Sequence, residues 1–340
     1  MRKLLNTLYI TSELTYVSLD NENIVVKKES EVLARVPFVN IENIVCFNYL
    51  GCSPALMGKC ASKNIPLNFV TPSGKYLASV TGTIKGNVVL RQKQFDSTRL
   101  DSVCLELSKN TIVAKFHNCR VMLAKFIKNH NDNNYDSIKQ TADLISNNIE
   151  KVNLCNNVDE IRGIEGETAR MYFRTFGQMI RKDGFIFNGR SKRPPLDNVN
   201  ALLSFCYTLL TLEIKSALET VGLDPYVGFM HTDRAGRPAL ALDLVEELRA
   251  FAVDNFVINI VNLGQVNTKD FYEKEGGAVL FTDEGRRKIL KLWEDRKKDT
   301  IKHKIINEKL QIGLVPYVQA QLFAKYLRGD MEQYCPFIWS

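Results

Sequence analysis

The run GFMHTDRAGRPALALDLVEELRAF, residues 228 to 251, sets one histidine, His231, in a loop bounded by Gly228, Gly236 and Pro238. It then enters an apolar segment that carries Asp243, Glu246 and Glu247. On a helix, positions i, i+4, i+7 and i+11 share a face. For a helix from about 239 to 262, Glu246 shares its face with Leu242, Ala250, Val253 and Val257, while Leu240, Leu244, Leu248 and Phe251 make a second apolar stripe. The spacing predicts a helix buried on two sides, with Glu246 inside it. Glu247 falls nearer an arc shared with Asp243 and Asp254 and is expected to be structural.

Working outward, the same helical texture runs from about residue 95 to the end, in stretches such as STRLDSVCLELSKNTIVAKFHNCRVMLAKFIKN and VNALLSFCYTLLTLEIKSALETVG. Residues 1 to 85 read as β. YVSL, the turn cluster DNEN and IVVKK predict a hairpin, and VLARVPFVNIENIVCF continues with β-branched and aromatic residues. Ser53 and Pro54 cap a short helix over ALMGKCASKN, and PLNFV, TPSG and KYLASV predict another strand pair. The expected class is therefore α+β: an N-terminal β domain over 1–85, a linker over 86–95 and a mostly α-helical domain over 96–340. HNDNNYD (130–136) and SKRPPLDN (191–198) are expected loops, the second because two prolines stop a helix.

The totals exclude several classes. With 340 residues, 45% hydrophobic and 24% charged, the chain is an ordinary globular one of two domains. No secretory core forms in MRKLLNTLYITSEL, which Asn6, Thr7, Thr11 and Ser12 interrupt. Even VDNFVINIVNLG (253–264) is broken by Asp254 and Asn255, so a cytoplasmic protein without membrane partners is expected. The eight cysteines make no CxxC pair, which predicts reduced, mostly buried thiols. Net charge is +7, and RRKILKLWEDRKKDTIKHK (286–304) concentrates much of it. That strip is either a solvated helix face or a surface that tracks phosphates by releasing counterions.

Facing also separates two glutamates in IRGIEGETARMYFRTF (161–176). Glu165 shares a face with Ile161, Ala169, Tyr172 and Phe176, whereas Glu167 aligns with Arg170, Arg174 and Gln178 and belongs at the surface. A carboxylate among apolar residues protonates, pairs or binds a metal. The bland reading is a salt bridge, for example to Arg249 or Arg234. Two inward glutamates and a loop histidine instead suit a divalent ion, Mg²⁺ or Mn²⁺, with coordination positions left for water and phosphate. Asp243, three residues before Glu246, is an alternative ligand or a supporting acceptor. Such a site does phosphoryl chemistry.

These residues lie in three long motifs, IRGIEGETARMYF (161–173), FNGRSKRPPLDNVNALLSFCYTLL (187–210) and GFMHTDRAGRPALALDLVEELR (228–249). Their order and content resemble the CRISPR-associated integrase family, the catalytic subunit of the spacer-acquisition complex. The resemblance implies a metal triad of Glu165, His231 and Glu246, and an N-terminal β-sandwich-like domain that mediates homodimerisation ahead of a helical catalytic domain. It also implies double-stranded DNA, both a foreign fragment and a CRISPR repeat, as substrate. The implied partners are a dimer of a small companion adaptation protein and an end-processing nuclease. The implied reaction joins 3′-hydroxyl ends to the repeat by transesterification, without ATP, and the sequence has no GxxxxGK[ST] run. Arg190, Lys192 and Arg193, with Arg234 and Arg237 beside His231, are candidate phosphate contacts. Arg286, Arg287, Lys288, Lys291, Arg296, Lys297 and Lys298 are candidates for the duplex backbone. Asn200 and Tyr207 either orient substrate or pack, with packing expected for Tyr207, and Trp293 is expected in the core. A structure-specific nuclease, in which water attacks in place of a 3′-hydroxyl, needs the same residues; a non-catalytic nucleic-acid scaffold needs only salt-bridged glutamates.

Overall fold

A computed structural model describes residues 6–12, 14–82, 88–130, 135–232 and 234–340. Parts of five sequence expectations lie outside these residues: 1–5 and 13 of the opening segment, 83–85 of the N-terminal β domain, 86 and 87 of the linker, 131–134 of the HNDNNYD loop and 233 of the histidine loop.

The N-terminal region is built from β1 (Thr7–Ile10), β2 (Tyr16–Asp20), β3 (Asn23–Lys28), β4 (Glu31–Pro37), β5 (Asn43–Cys46), α1 (Pro54–Lys63), β6 (Leu67–Val70) and β7 (Tyr76–Val80). β2, β3 and β4 form an antiparallel sheet, with the β2–β3 turn at Asn21 and Glu22, inside the DNEN cluster. The second sheet has the order β1-β5-β6-β7; β5 pairs in parallel with β1 and β6, because α1 carries the chain back across the sheet. Ser53 caps α1 by accepting the Leu56 N–H, and Pro54 occupies the first helical position. Val17, Ile24, Ile44, Leu56, Cys60 and Leu67 fill the core of this region. Val45, Phe47 and Val70, at alternate positions along the second sheet, join the helical core instead, so that sheet is apolar on both faces.

The linker expected over 86–95 is a helix where it is described: α2 (Val88–Ser97) buries Leu90 and Gln94, one turn apart. Then come α3 (Asp101–Asn129), α4 (Asp136–Leu154), α5 (Val158–Phe176) and α6 (Asn198–Val221). α6 begins where Asp197 caps it and ends at Gly222, which takes a φ of 88°. It is long and apolar enough to cross a membrane by composition, yet it is the central helix of the fold, with 67% of its most apolar window buried.

The element expected from 239 to 262 is not one α-helix. α7 (Ala239–Leu248) gives way to a π-helical turn, Arg249–Asp254, before α8 (Asn255–Asn262). Such insertions recur at functional sites because they re-aim side chains without breaking the helix. β8 (Phe271–Glu273) and β9 (Val279–Phe281) form a hairpin, α9 (Asp283–Lys298) follows, β10 (Thr300–His303) and β11 (Glu308–Gln311) form another, and α10 (Val315–Arg328) packs on α6 and α2. All eight cysteines are free thiols, and burial pushes Cys52 up to about 11 and Cys60 to about 12.

Candidate functional site

Three helices converge on one buried cluster of charge. Glu165 projects from α5 and Glu246 from α7, and α3, which packs against both, supplies Lys115. The Lys115 ammonium pairs with Glu165 Oε1 and lies 2.6 Å from Glu246 Oε2. Arg249, at the start of the π-turn, places its Nε 3.4 Å from Glu246 Oε1. Burial alone raises a carboxyl pKa, but Arg249, Lys115 and His231 outweigh it and hold Glu246 far below the usual range. Burial likewise opposes the Lys115 charge, and Glu165 and Glu246 overcome it and push that pKa up. Glu246 is thus ionised as well as buried. Glu165 is half-buried and Glu167 exposed, as their faces predict.

His231 is fixed by Asp243, whose side chain is fully buried. Asp243 Oδ2 accepts the backbone N–H groups of Phe229 at 2.8 Å and Met230 at 3.1 Å. Its Oδ1 accepts the His231 N–H at 2.9 Å and the ring Nδ1–H at 2.6 Å. A carboxylate can only accept, so Nδ1 carries a proton and donates it; in the neutral ring this leaves Nε2 as the nitrogen with the lone pair. Gly228 makes this packing possible: a Cβ there would stand 2.6 Å from Asp243 Oδ2 and 2.8 Å from the Ala239 carbonyl carbon.

The loop is tied at two further points. Arg162, one turn before Glu165 on α5, donates through Nε to the Met230 carbonyl at 2.9 Å. Gln94 on α2 donates to the carbonyls of Asp224 and Val227, at 2.8 and 2.9 Å, and accepts the Asp224 N–H at 2.9 Å. Neither residue stands out in the sequence. Lys115 does not stand out either, because its helical face mixes Ser108, Thr111 and Asn118 with Ile112, Cys119 and Met122.

As the side chains stand, no group of three His, Cys, Asp or Glu among the described residues is arranged to hold a metal ion. The donor set nevertheless fits one. Glu246 Oε2 is buried without a hydrogen bond, its contact with Lys115 being one of charge. With Glu165 Oε1 and the uncommitted His231 Nε2, it offers the hard oxygens and single imidazole that Mg²⁺ or Mn²⁺ accepts. Asp243 has both oxygens taken by loop donors, which makes it a support for His231.

The π-turn ends at Asp254, which accepts the Tyr172 hydroxyl at 2.9 Å and also the Tyr207 hydroxyl. Burial raises the Asp254 pKa in spite of Tyr207 and Arg249. Tyr207 packs as expected and is also hydrogen-bonded; the Arg249 and Arg190 guanidinium groups lie 4.6 and 5.5 Å from its ring centre. Arg190 donates to the Ser191 carbonyl at 2.6 Å and to Asn200 Oδ1 at 2.7 Å, so Asn200 shapes the 189–191 loop. Lys192 and Arg193 are exposed. Partial desolvation of the Lys192 ammonium, with repulsion from Arg249 and Arg190, lowers its pKa. Arg234 is exposed and Arg237 half-buried.

The strip 286–304 is not a continuous phosphate-tracking face. Arg286 is 1% exposed and donates to the carbonyls of Pro72 and Thr11, with Asp283 as its ion partner. Lys297 is buried between Glu213 and Glu294. Both anchor α9 to the N-terminal region and are withdrawn from any duplex. Lys288 pairs with Asp270, Arg296 with Asp299 and Lys298 with Asp295, so much of the remaining charge is locally neutralised. Arg287, which reaches Thr11 Oγ1, and Lys291 stay exposed. Trp293 is core, donating its indole N–H to Glu213. Glu247 has the structural place expected of it, on an arc that is buried: its carboxylate accepts the Tyr334 hydroxyl at 2.7 Å and the Phe337 N–H at 2.6 Å, holding the C-terminal segment in the core.

Comparison with known proteins places this geometry. Residues 8–295 match the family described as CRISPR associated protein Cas1. Over the full length of both chains, the sequence is 43% identical to the CRISPR-associated endonuclease Cas1 2 of Rhodospirillum rubrum. It is 40% identical, again over both full chains, to the CRISPR-associated endonuclease Cas1 1 of Chlorobaculum tepidum. In fold it is similar to a casposase bound to integration product, with a TM-score of 0.84 at 23% identity, covering 96% of this chain and 92% of that one.

Proposed function

The chain belongs to the CRISPR associated protein Cas1 family, and from that premise we propose that it is a divalent-metal-dependent DNA endonuclease and integrase. Its reaction joins the 3′-hydroxyl ends of short foreign duplexes to a CRISPR repeat by transesterification. The observation that carries this reading is the meeting of Glu165 and Glu246 on one buried ammonium, with the Asp243-oriented His231 near enough to act on the Glu246 charge.

In this reading Glu165, Glu246 and His231 Nε2 would hold Mg²⁺ or Mn²⁺, and the chemistry the ion would supply is Lewis-acid polarisation of a phosphate oxygen. Asp243 keeps the proton on Nδ1 and so keeps Nε2 a donor of electrons. Arg249 holds positive charge beside the phosphate as its oxygens gain negative charge. The exposed Lys192, Arg193 and Arg234, with the half-buried Arg237, draw the duplex backbone towards the centre. Homodimerisation through the N-terminal region is part of the same reading, supported by the exposed Val32, Leu33 and Val39. So are a companion adaptation protein, an end-processing nuclease, a boundary near residues 86–95 between a dimerisation and a catalytic domain, and a cytoplasmic setting in a prokaryote.

The test is a labelled duplex with free 3′ ends, incubated with supercoiled repeat DNA and Mn²⁺ or Mg²⁺. Products in which label is joined to the plasmid support integration. Cut branched DNA with no joined product reduces the activity to a nuclease, and metal-independent binding alone leaves a scaffold.

A further inference from the structure

The two glutamates of the centre already have a cation between them. Lys115 is 5% exposed, and its ammonium contacts both Glu165 Oε1 and Glu246 Oε2. With Arg249 beside Glu246, the two carboxylates face two fixed cations. A divalent ion entering this cluster unchanged would add two positive charges where little water can screen them. Its oxygen ligands would also still be engaged by the ammonium.

We propose that Lys115 is a built-in occupant of the metal position, so that loading is an exchange in which the divalent ion displaces the ammonium from Glu165 and Glu246. This rests on the metal-centre reading above and adds to it a competitor within the chain. The displaced head has somewhere to go. Lys115 lines a cavity of about 20 Å³ that is also walled by Cys119, Tyr172, Tyr207, Arg249 and Asp254, enough for a water-sized group. The carboxyl group facing that cavity is Asp254, which accepts the Tyr172 and Tyr207 hydroxyls. The arrangement keeps Glu246 paired before the metal arrives, which an unpaired buried carboxylate could not be without cost.

The experiment uses the full chain and Mn²⁺ alone, with affinity read by calorimetry and no DNA or turnover required. Lys115→Met is expected to bind Mn²⁺ at least about fivefold more tightly than the wild type, the lower end of ordinary site-to-site coupling. Its melting temperature is expected to be lower without the metal and to rise more on adding it. Glu165→Gln and Glu246→Gln separate the two claims. If neither weakens Mn²⁺ binding, the metal-centre reading itself fails; if they do and Lys115→Met binds no more tightly than wild type, the exchange alone is overturned. Should Lys115→Met not fold, the wild-type crystal structure with Mn²⁺ decides. Lys115 Nζ beyond 4 Å from Glu165, with the ion between the glutamates, supports the exchange, and an ammonium still paired to Glu165 beside the bound ion refutes it.

Discussion

Asp243→Asn keeps shape and volume and removes only the charge and one acceptor, which makes it a sharp probe of the His231 loop. Four donors share the two Asp243 oxygens: Phe229 and Met230 N–H on Oδ2, His231 N–H and Nδ1–H on Oδ1. Whichever way the amide turns, two of them meet an NH₂ group. If that group replaces Oδ2, two backbone donors are stranded; if it replaces Oδ1, the imidazole can answer only by moving its proton to Nε2, the atom assigned to the metal. Hydrogen bonds to a charged group contribute about 1.5 to 3 kcal/mol each, so losing two predicts about 3 to 6 kcal/mol of stability, measured by urea unfolding. Strand transfer should fall by roughly 10 to 100-fold, the range for residues that orient a metal-binding histidine, while duplex affinity holds. A stability loss under about 1 kcal/mol together with activity within about twofold of wild type would refute the account of this loop.

Gly228→Ala should cost about 1 to 3 kcal/mol and lower activity, because the new methyl presses on Asp243 Oδ2 and Ala239; a neutral substitution would contradict that packing. Glu247 gives a pH signature. Burial raises its pKa from 4.5 to about 7, against the lowering by the neutral donors Tyr334, Phe337 and Gln319. A raised folded pKa means the native state binds the proton more tightly, so this contribution is complete below about pH 4.5 and is lost as pH rises through about 7. The stability difference between wild type and Glu247→Gln should therefore shrink by about 3 kcal/mol over that window, and a flat or rising difference speaks against it. Arg286→Met should destabilise by about 1 to 3 kcal/mol without altering the salt dependence of DNA binding. The pair Arg287→Ala and Lys291→Ala should do the reverse if that edge of α9 meets phosphate, each lost contact lowering the slope by about 1.

The helical facing rule reached Glu165 and Glu246 because a carboxylate among leucines and valines is conspicuous. It does not reach Lys115, because Ser108, Thr111 and Asn118 share that face with Ile112, Cys119 and Met122, and only the fold shows all six to be buried. A lysine within a long helix reads as solvated charge until the packing of its face is known. The misassigned strip on α9 has the same cause. Arg286, Ile289, Leu290, Trp293 and Lys297 share one buried face, so charges adjacent in sequence were dispersed around the helix. The linker became α2 because two buried residues one turn apart, Leu90 and Gln94, leave too faint a period to read. The π-turn at Arg249–Asp254 was hidden because Ala250, Phe251 and Val253 continue the apolar stripes of an ordinary 3.6-period helix, and nothing in the residue types marks the wider hydrogen-bond spacing. The ties from Arg162 and Gln94 join segments distant in sequence, where no local pattern points to a partner.

The central claim is that Glu165, His231 and Glu246 act as one metal centre. Its most direct test is metal-dependent strand transfer by Glu165→Gln, His231→Ala and Glu246→Gln, with duplex affinity measured on the same preparations. The account predicts that each substitution lowers strand transfer by well over ~100-fold, beyond the 10 to 100-fold range of supporting residues, while duplex affinity changes little. Strand transfer retained at wild-type level by any of the three would contradict it.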